Sequence, residues 1–277
     1  MSSITAREIA VRRPDIDYVE PELPKYFVAG DPIRSHIAAM LSAVFPEGED
    51  FFVRSVRNYR KQITDPELKK QVSGFIGQEA LHGREHRDFN DALADLGYPT
   101  QFVDRNVKFG LAMLNKVAPK RTQLAVTAAL EHYTATLAEA ILTDEDARTE
   151  FTSDEVRDLF TWHALEETEH KSVAFDVFEE VCGKRWVRVG TMWAVHVVFL
   201  AEMSLAVLLS VAKDPVARRP RTFLRGVRNL KHHPFFTRKV VQRLRDYDRK
   251  GFHPDDHDTT ELLAKWRDWY ESAPIAS

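Results

Sequence analysis

The 277-residue chain is 44% hydrophobic and 29% charged, with 11 Gly and 13 Pro. That composition excludes a wholly disordered or collagen-like polypeptide, and the length suffices for one or two domains with a substantial buried core. A net charge of -3 gives no overall attraction to nucleic acid. The single cysteine, Cys182, excludes an internal disulfide and a Cys-based zinc site. No apolar segment marks the N-terminus as a secretory signal, so the expectation is a cytoplasmic protein.

Taken in chain order, helix punctuation dominates and strand signals are scarce. Residues 1–30 are Pro-rich and read as an extended arm. Asp31-Pro32 caps a helix running to about Phe45, and Pro46 then allows a new one from Glu47 to about Ile63. Asp65-Pro66 repeats the signal and opens a long helix that Gly97 ends. Further helices follow over Asp104–Val117, broken by Pro119, and Lys120–Leu142. Ser153, followed by Asp154 and Glu155, caps a helix expected to continue to Gly183. Val189–Ala212 is a largely apolar stretch of 24 residues whose only formal charge is Glu202. Residues 213–250 hold thirteen Lys/Arg against Asp214, Asp246 and Asp248, leaving +10 there and about -13 on the rest of the chain. The final few residues are expected to fray. The predicted fold is all-α: an arm over 1–30, a four-helix bundle over 31–183, and helices over 184–277 packed on that bundle.

The chemistry lies in carboxylates and histidines at helical spacing. GQEALHGREH holds Glu79 and His82 at i, i+3, and WHALEETEH holds Glu167 and His170 at the same spacing. Three residues turn about 300° along a helix, so each pair projects from one face and can converge on one metal ion. Each pair is preceded at hairpin distance by a lone glutamate, Glu49 in FPEGEDFF and Glu131 in TAALEHYT. Two hairpins would bring four carboxylates and two imidazoles to the centre of a bundle, the composition of ferritin-like di-iron and di-manganese sites. A single Glu-x-x-His is ordinarily a solvated helix face. Two copies with matching upstream glutamates are not explained that way, and Glu131 sits in a stripe of small apolar residues where an unpaired carboxylate needs a cation. Oxygen and nitrogen donors without thiolate suit iron or manganese.

The runs HIAAMLSAVFPEGEDFF, FIGQEALHGREH, AALEHYTA and WHALEETEHKSVAFDVF resemble the bacterial family of predicted metal-dependent hydrolases over about residues 15–240. The ligand pattern is also similar to ferritin-like di-iron oxygenases, the arylamine N-oxygenases in particular. Those carry a third histidine one turn before the second Glu-x-x-His, and His163 stands four residues before Glu167. The resemblance implies a metal set of Glu49, Glu79, His82, Glu131, His163, Glu167 and His170, binding two iron or manganese ions.

Other residues border this set. His86, four residues after His82, is an eighth ligand, a supporting donor or a water-facing residue, with support preferred. His132 points about 100° from Glu131 and is read as structural. Glu47 competes with Glu49 for the first position but is expected to be a solvated first-turn acid. Glu166 and Glu169 flank the ligand stripe as exposed or supporting residues, and Tyr59 and Tyr133 are candidates for the neighbourhood of the metals. The ligands leave three chemistries open. The preferred expectation is dioxygen activation to oxidise a small lipophilic or aromatic substrate, with an electron donor as partner. The alternatives are hydrolysis by a metal-activated water and a non-catalytic iron-binding role. For Val189–Ala212 three readings stand: a helix packed on the bundle and lining an apolar pocket, which is preferred, a bilayer span, or a peripheral membrane contact together with the basic segment up to 250. No nucleic-acid motif accompanies the charge, and a homodimer is compatible with the sequence.

Overall fold

The computed structural model describes residues 9–18, 23–273 and 275. Among them there are helices, turns and one isolated bridge between Val28 and Phe151, and no strand. The all-α expectation holds. The helices are α1 Pro32–Arg57, α2 Pro66–Asp95, α3 Thr100–Val117, α4 Lys120–Thr143, α5 Glu145–Thr149, α6 Asp154–His170, α7 Val173–Val181, α8 Arg185–Lys213, α9 Pro220–Asn229, α10 Arg238–Asp246 and α11 Thr260–Ser272.

Local chemistry explains several boundaries. The Asp31 carboxylate accepts from the backbone N–H groups of Ile33 and Arg34, Asp65 accepts from Glu67, and Ser153 accepts from Val156. Gly97, at φ +89°, takes the left-handed conformation that closes α2. Pro46 departs from the expected pattern. It lies inside α1, which runs unbroken from Pro32 to Arg57 instead of splitting in two. A proline there removes the N–H that would bond the carbonyl of Ser42. Asn90 of α2 supplies the substitute, donating from Nδ2 to Ser42 O at 3.1 Å. The helix expected from Ser153 to Gly183 is in turn two helices, α6 and α7, separated at Lys171 and Ser172. Lys171 is buried there, its ammonium donating to Thr259 Oγ1 at 3.0 Å and to the carbonyl of His257. The break lets the chain turn after His170 while that lysine head stays bonded.

α1 and α2 form an antiparallel hairpin, α4 packs on α6, and the two pairs face each other. Ser42 meets His86 and Asn90 across the first hairpin, and a Cβ at Gly83 would lie 3.2 Å from Glu49 Oε2. These pairings hold the two helices in one register. Apolar clusters close the bundle at either end, one around Trp162, Phe89 and Phe160, the other around Phe51, Phe75 and Phe178. α8 lies across α4 and α1, α10 against α4 and α11 against α6. α9 rests on α1 where Gly226 meets Ile33, and any side chain at Gly226 would collide with it. The described part of the arm lies without helix along the bundle, with Ile9 over Gly74 and Val11 over Gly77. Residues 1–8, 274, 276 and 277, which include most of those expected to fray, lie outside the described residues.

Candidate metal centre

Four helices each contribute to one buried cluster: Glu49 from α1, Glu79 and His82 from α2, Glu131 from α4, and His163, Glu167 and His170 from α6. None of the seven is more than 4% exposed, which is an extreme placement for four carboxylates. Two triads form within it. Glu49, His82 and His163 bring one ligand-type atom each to within 4.8 Å of one another, and so do Glu79, Glu167 and His170. Glu131 Oε2 stands 3.4 Å from His170 Nε2 and completes the second group. Two carboxylates of the second triad also reach histidines of the first. Glu79 Oε1 is 3.6 Å from His82 Nδ1 and 3.1 Å from His170 Nε2. Glu167 reaches His163 Nε2 at 2.9 Å and His82 Nδ1 at 3.6 Å with Oε1, and His170 Nε2 at 3.5 Å with Oε2.

The outward nitrogen of each histidine fixes what the inward one can do. His82 Nε2 faces Glu166 Oε2 at 3.1 Å, an acceptor, so the ring proton sits there and the Nδ1 lone pair faces the cluster. Gln78 Nε2 donates to Ala10 O and to Glu169 Oε2, so its Oε1 must accept from His170 Nδ1 at 2.8 Å. Ser42 donates to Asn90 Oδ1 at 2.7 Å, so its oxygen accepts from His86 Nδ1 at 2.8 Å. His86 Nε2 is then an acceptor, and His163 donates to it from Nδ1 at 2.7 Å. In each case the tautomer leaves a lone pair aimed inward, the arrangement in which an imidazole binds a metal.

The buried polar atoms left without a hydrogen-bond partner concentrate at the same place. They include both carboxylate oxygens of Glu49, Glu79 and Glu131, one of Glu167, His82 Nδ1 and His170 Nε2. Orphaned polar atoms at this density are costly unless a cation satisfies them. Four carboxylates and three neutral imidazoles carry a formal -4, which two divalent ions would balance. The residues fit a pair of metal ions.

Proton affinities report the same lack of positive charge. Burial, then repulsion from neighbouring glutamates, pushes Glu49 and Glu79 well above the carboxylate range. Burial and Glu167 push Glu131 up to about 7. Against a burial that would raise it, Glu167 is held low by His170 and His163. Against a burial that would lower it, the affinity of His170 for a second ring proton is raised by Glu167, Glu131 and Glu79. A metal ion would take the place of that proton.

A second layer of charge supports the first. Glu166 and Glu169 are fully buried. Arg12 of the arm bonds both, at 3.3 and 2.7 Å, and Arg267 of α11 bonds Glu169 at 2.6 Å. Sequence reasoning missed Gln78, Ser42, Asn90, Arg12 and Arg267. His86 supports His163 through the bond given above. Glu47 differs from its expected solvated position: it lies in mid-helix, buried, and pairs with Lys108 at 3.0 Å, because Pro46 does not start a new helix. His132 lies away from the cluster and bonds Arg243 O at 2.8 Å. Tyr59 belongs to the apolar cluster around Phe51, whereas Tyr133 reaches the cavity described next.

A cavity of about 360 Å³ abuts one side of the centre, where Glu49, His163 and Glu167 form part of its wall. The rest is largely apolar, from Phe45 and Phe52 of α1, Leu111 of α3, Leu130 of α4 and Phe199 of α8. α8 thus packs on the bundle and lines this cavity. By length and hydropathy it is also one helix apolar enough to cross a membrane.

Comparison with known proteins matches none of the curated proteins and none of the solved structures. One family model matches, described as predicted metal-dependent hydrolase, over residues 10–258. That span takes in all seven clustered residues, the helices that carry them and the arm that supports them, and the chain belongs to the family of predicted metal-dependent hydrolases.

Proposed function

We propose that the chain is a two-metal enzyme that hydrolyses a small lipophilic or aromatic substrate. In this reading Glu49, His82 and His163 hold one ion, Glu131 and His170 hold the other, and Glu79 and Glu167 lie between them. The arrangement is of ferritin-like type. The observation that carries it is the convergence of nine orphaned buried atoms on one point beside an apolar cavity. When bound, iron or manganese would supply Lewis acidity and an activated water. The chain's own residues do the rest. The apolar wall from Phe45 to Phe199 selects and desolvates the substrate, and the only ligand residues on that wall are Glu49, His163 and Glu167. The bond from His163 to His86, and onward through Ser42 to Asn90, holds the imidazole in the orientation that faces both cavity and centre.

Dioxygen activation is the second reading. It is favoured by a donor set rich in carboxylate and free of thiolate, and by the same apolar cavity, which would shelter an oxidising centre from water. One experiment separates the two. Chain loaded anaerobically with ferrous or manganous ion is offered aryl and alkyl esters, amides and phosphoesters without oxygen, and the di-ferrous form is mixed with oxygen in a stopped-flow spectrometer. Metal-dependent turnover without oxygen supports hydrolysis. Oxidation within seconds, with no hydrolytic turnover, transfers the assignment to oxygen chemistry.

A further inference from the structure

The bundle covers only one side of α8. Met192, Val195, Ala206 and Ser210 are buried against it. The opposite stripe, at spacings near whole helical turns, holds Trp186, Trp193, Val197, Leu200 and Leu208, each more than half exposed. α3 lies beside α8 and runs the other way. Lys213 Nζ sits 5.8 Å from the Phe102 ring centroid, and a Cβ at Gly110 would be 4.0 Å from Glu202 Oε1. α3 carries its own exposed stripe of Phe102, Phe109, Met113 and Val117. The cavity opens between these two stripes, since Gly110, Ala194, Val198 and Glu202 both line it and are exposed. An apolar face of this breadth is a contact surface, not a scatter of single residues.

Charge identifies the occupant. Next to the C-terminal half of α8, Phe223 of α9 packs with Val207 and Val211. The outer face of α9 sets Leu224 among Arg221, Arg225 and Arg228, all exposed. It belongs to the 213–250 segment of charge +10. A second copy docked on this face would bring two such segments together, whereas an anionic bilayer complements them. A full crossing by α8 would strip away its contacts with α1 and α4.

We propose that the outer faces of α3, α8 and α9 dock the protein on an anionic membrane surface, with α8 lying in the interfacial plane and the cavity mouth against the lipid. The docking is independent of which reaction the metal centre performs.

The test uses the full chain with sucrose-loaded vesicles of phosphatidylcholine, with and without phosphatidylglycerol. The chain should sediment with the anionic vesicles at low salt and be released at high salt, as screening requires. Its tryptophan emission should shift to the blue and be quenched by lipids brominated in the acyl chain. Arg221→Glu with Arg225→Glu should weaken binding at least about tenfold, since each basic residue near such a surface contributes ~1 kcal/mol. Trp193→Ser should lessen the quenching while circular dichroism shows helix content unchanged. Three outcomes would overturn the proposal: no sedimentation by a chain of full helix content, membrane retention through carbonate extraction, or a stable dimer in which Trp193 is shielded in the absence of lipid.

Discussion

A histidine bound at one nitrogen is only as well placed as the partner at the other, and in this centre the partners are short, buried and uncharged at two of three positions. Gln78 is the most constrained of them. Its amide accepts from His170 and donates to Ala10 and Glu169, so all three bonds fix its orientation. Gln78→Leu removes the acceptor that holds the His170 tautomer while keeping a helix-compatible side chain of similar length. We expect metal affinity to fall about 10- to 100-fold with helix content unchanged, as measured by competition with a chromophoric chelator. Unaltered affinity would show that Gln78 only fills space. The two Glu-x-x-His pairs were legible in the sequence because ligands on one helix must share a face, and a face is a spacing. His163 came from resemblance and not from spacing. Gln78, Asn90 and Arg12 carried no comparable signal, since their partners lie on other helices or, for Arg12, across the chain from an arm without periodicity. Glu47 was misplaced for a related reason: its burial depends on α1 continuing through Pro46.

The continuation of α1 through Pro46 depends on one bond from α2. Ser42 O receives no helical N–H from Pro46 and is satisfied by Asn90 instead, which also accepts from the Ser42 hydroxyl. Asn90→Leu should cost about 2 kcal/mol by leaving the buried Ser42 carbonyl without a donor and its hydroxyl proton without an acceptor. Pro46→Ala should recover part of that loss, because the alanine N–H restores the helical bond to the same carbonyl. Urea denaturation of the two single variants and the double variant closes the cycle. Strict additivity would mean that Asn90 does not substitute for the missing bond. Caps made the helix starts easy to read, and a side chain from a neighbouring helix is invisible in any local reading, so the split at Pro46 was the natural error. The break between α6 and α7 was hidden in the same way, because Lys171 finds its partners at residues 257 and 259. The apolar stretch now in α8 was plain from composition, but only packing could assign one side to the cavity and leave the other exposed.

The stability of the folded chain depends on pH through buried groups that would be charged in water. His36, His132 and His233 lie outside the metal cluster and are each pushed down to about 4 by burial. Asp214 beside His36, and the carbonyl bonded by His132, offset that burial in part. The unfolded chain takes up these protons near pH 6.5 and the folded chain only near pH 4. Their contribution is therefore fully present above pH 6.5 and is lost as pH falls through the window down to 4, by an order of a few kcal/mol each. A series of melting temperatures should fall steeply across that interval. A flat profile would mean that these rings are already protonated, or reachable by water, in the folded state.

If the centre is a place for two metal ions and not a cluster of neutralised acids, it will keep both when excess metal is removed. The direct measurement is elemental analysis of chain loaded anaerobically with ferrous or manganous ion and then freed of excess metal. It should be run in parallel on Glu49→Ala, Glu131→Ala and His163→Ala. About two ions per chain are expected in the parent. Glu49→Ala and His163→Ala should lose metal from the first position and Glu131→Ala from the second, with helical content retained throughout. A parent that binds no metal, or a single ion indifferent to all three substitutions, would contradict a two-metal centre.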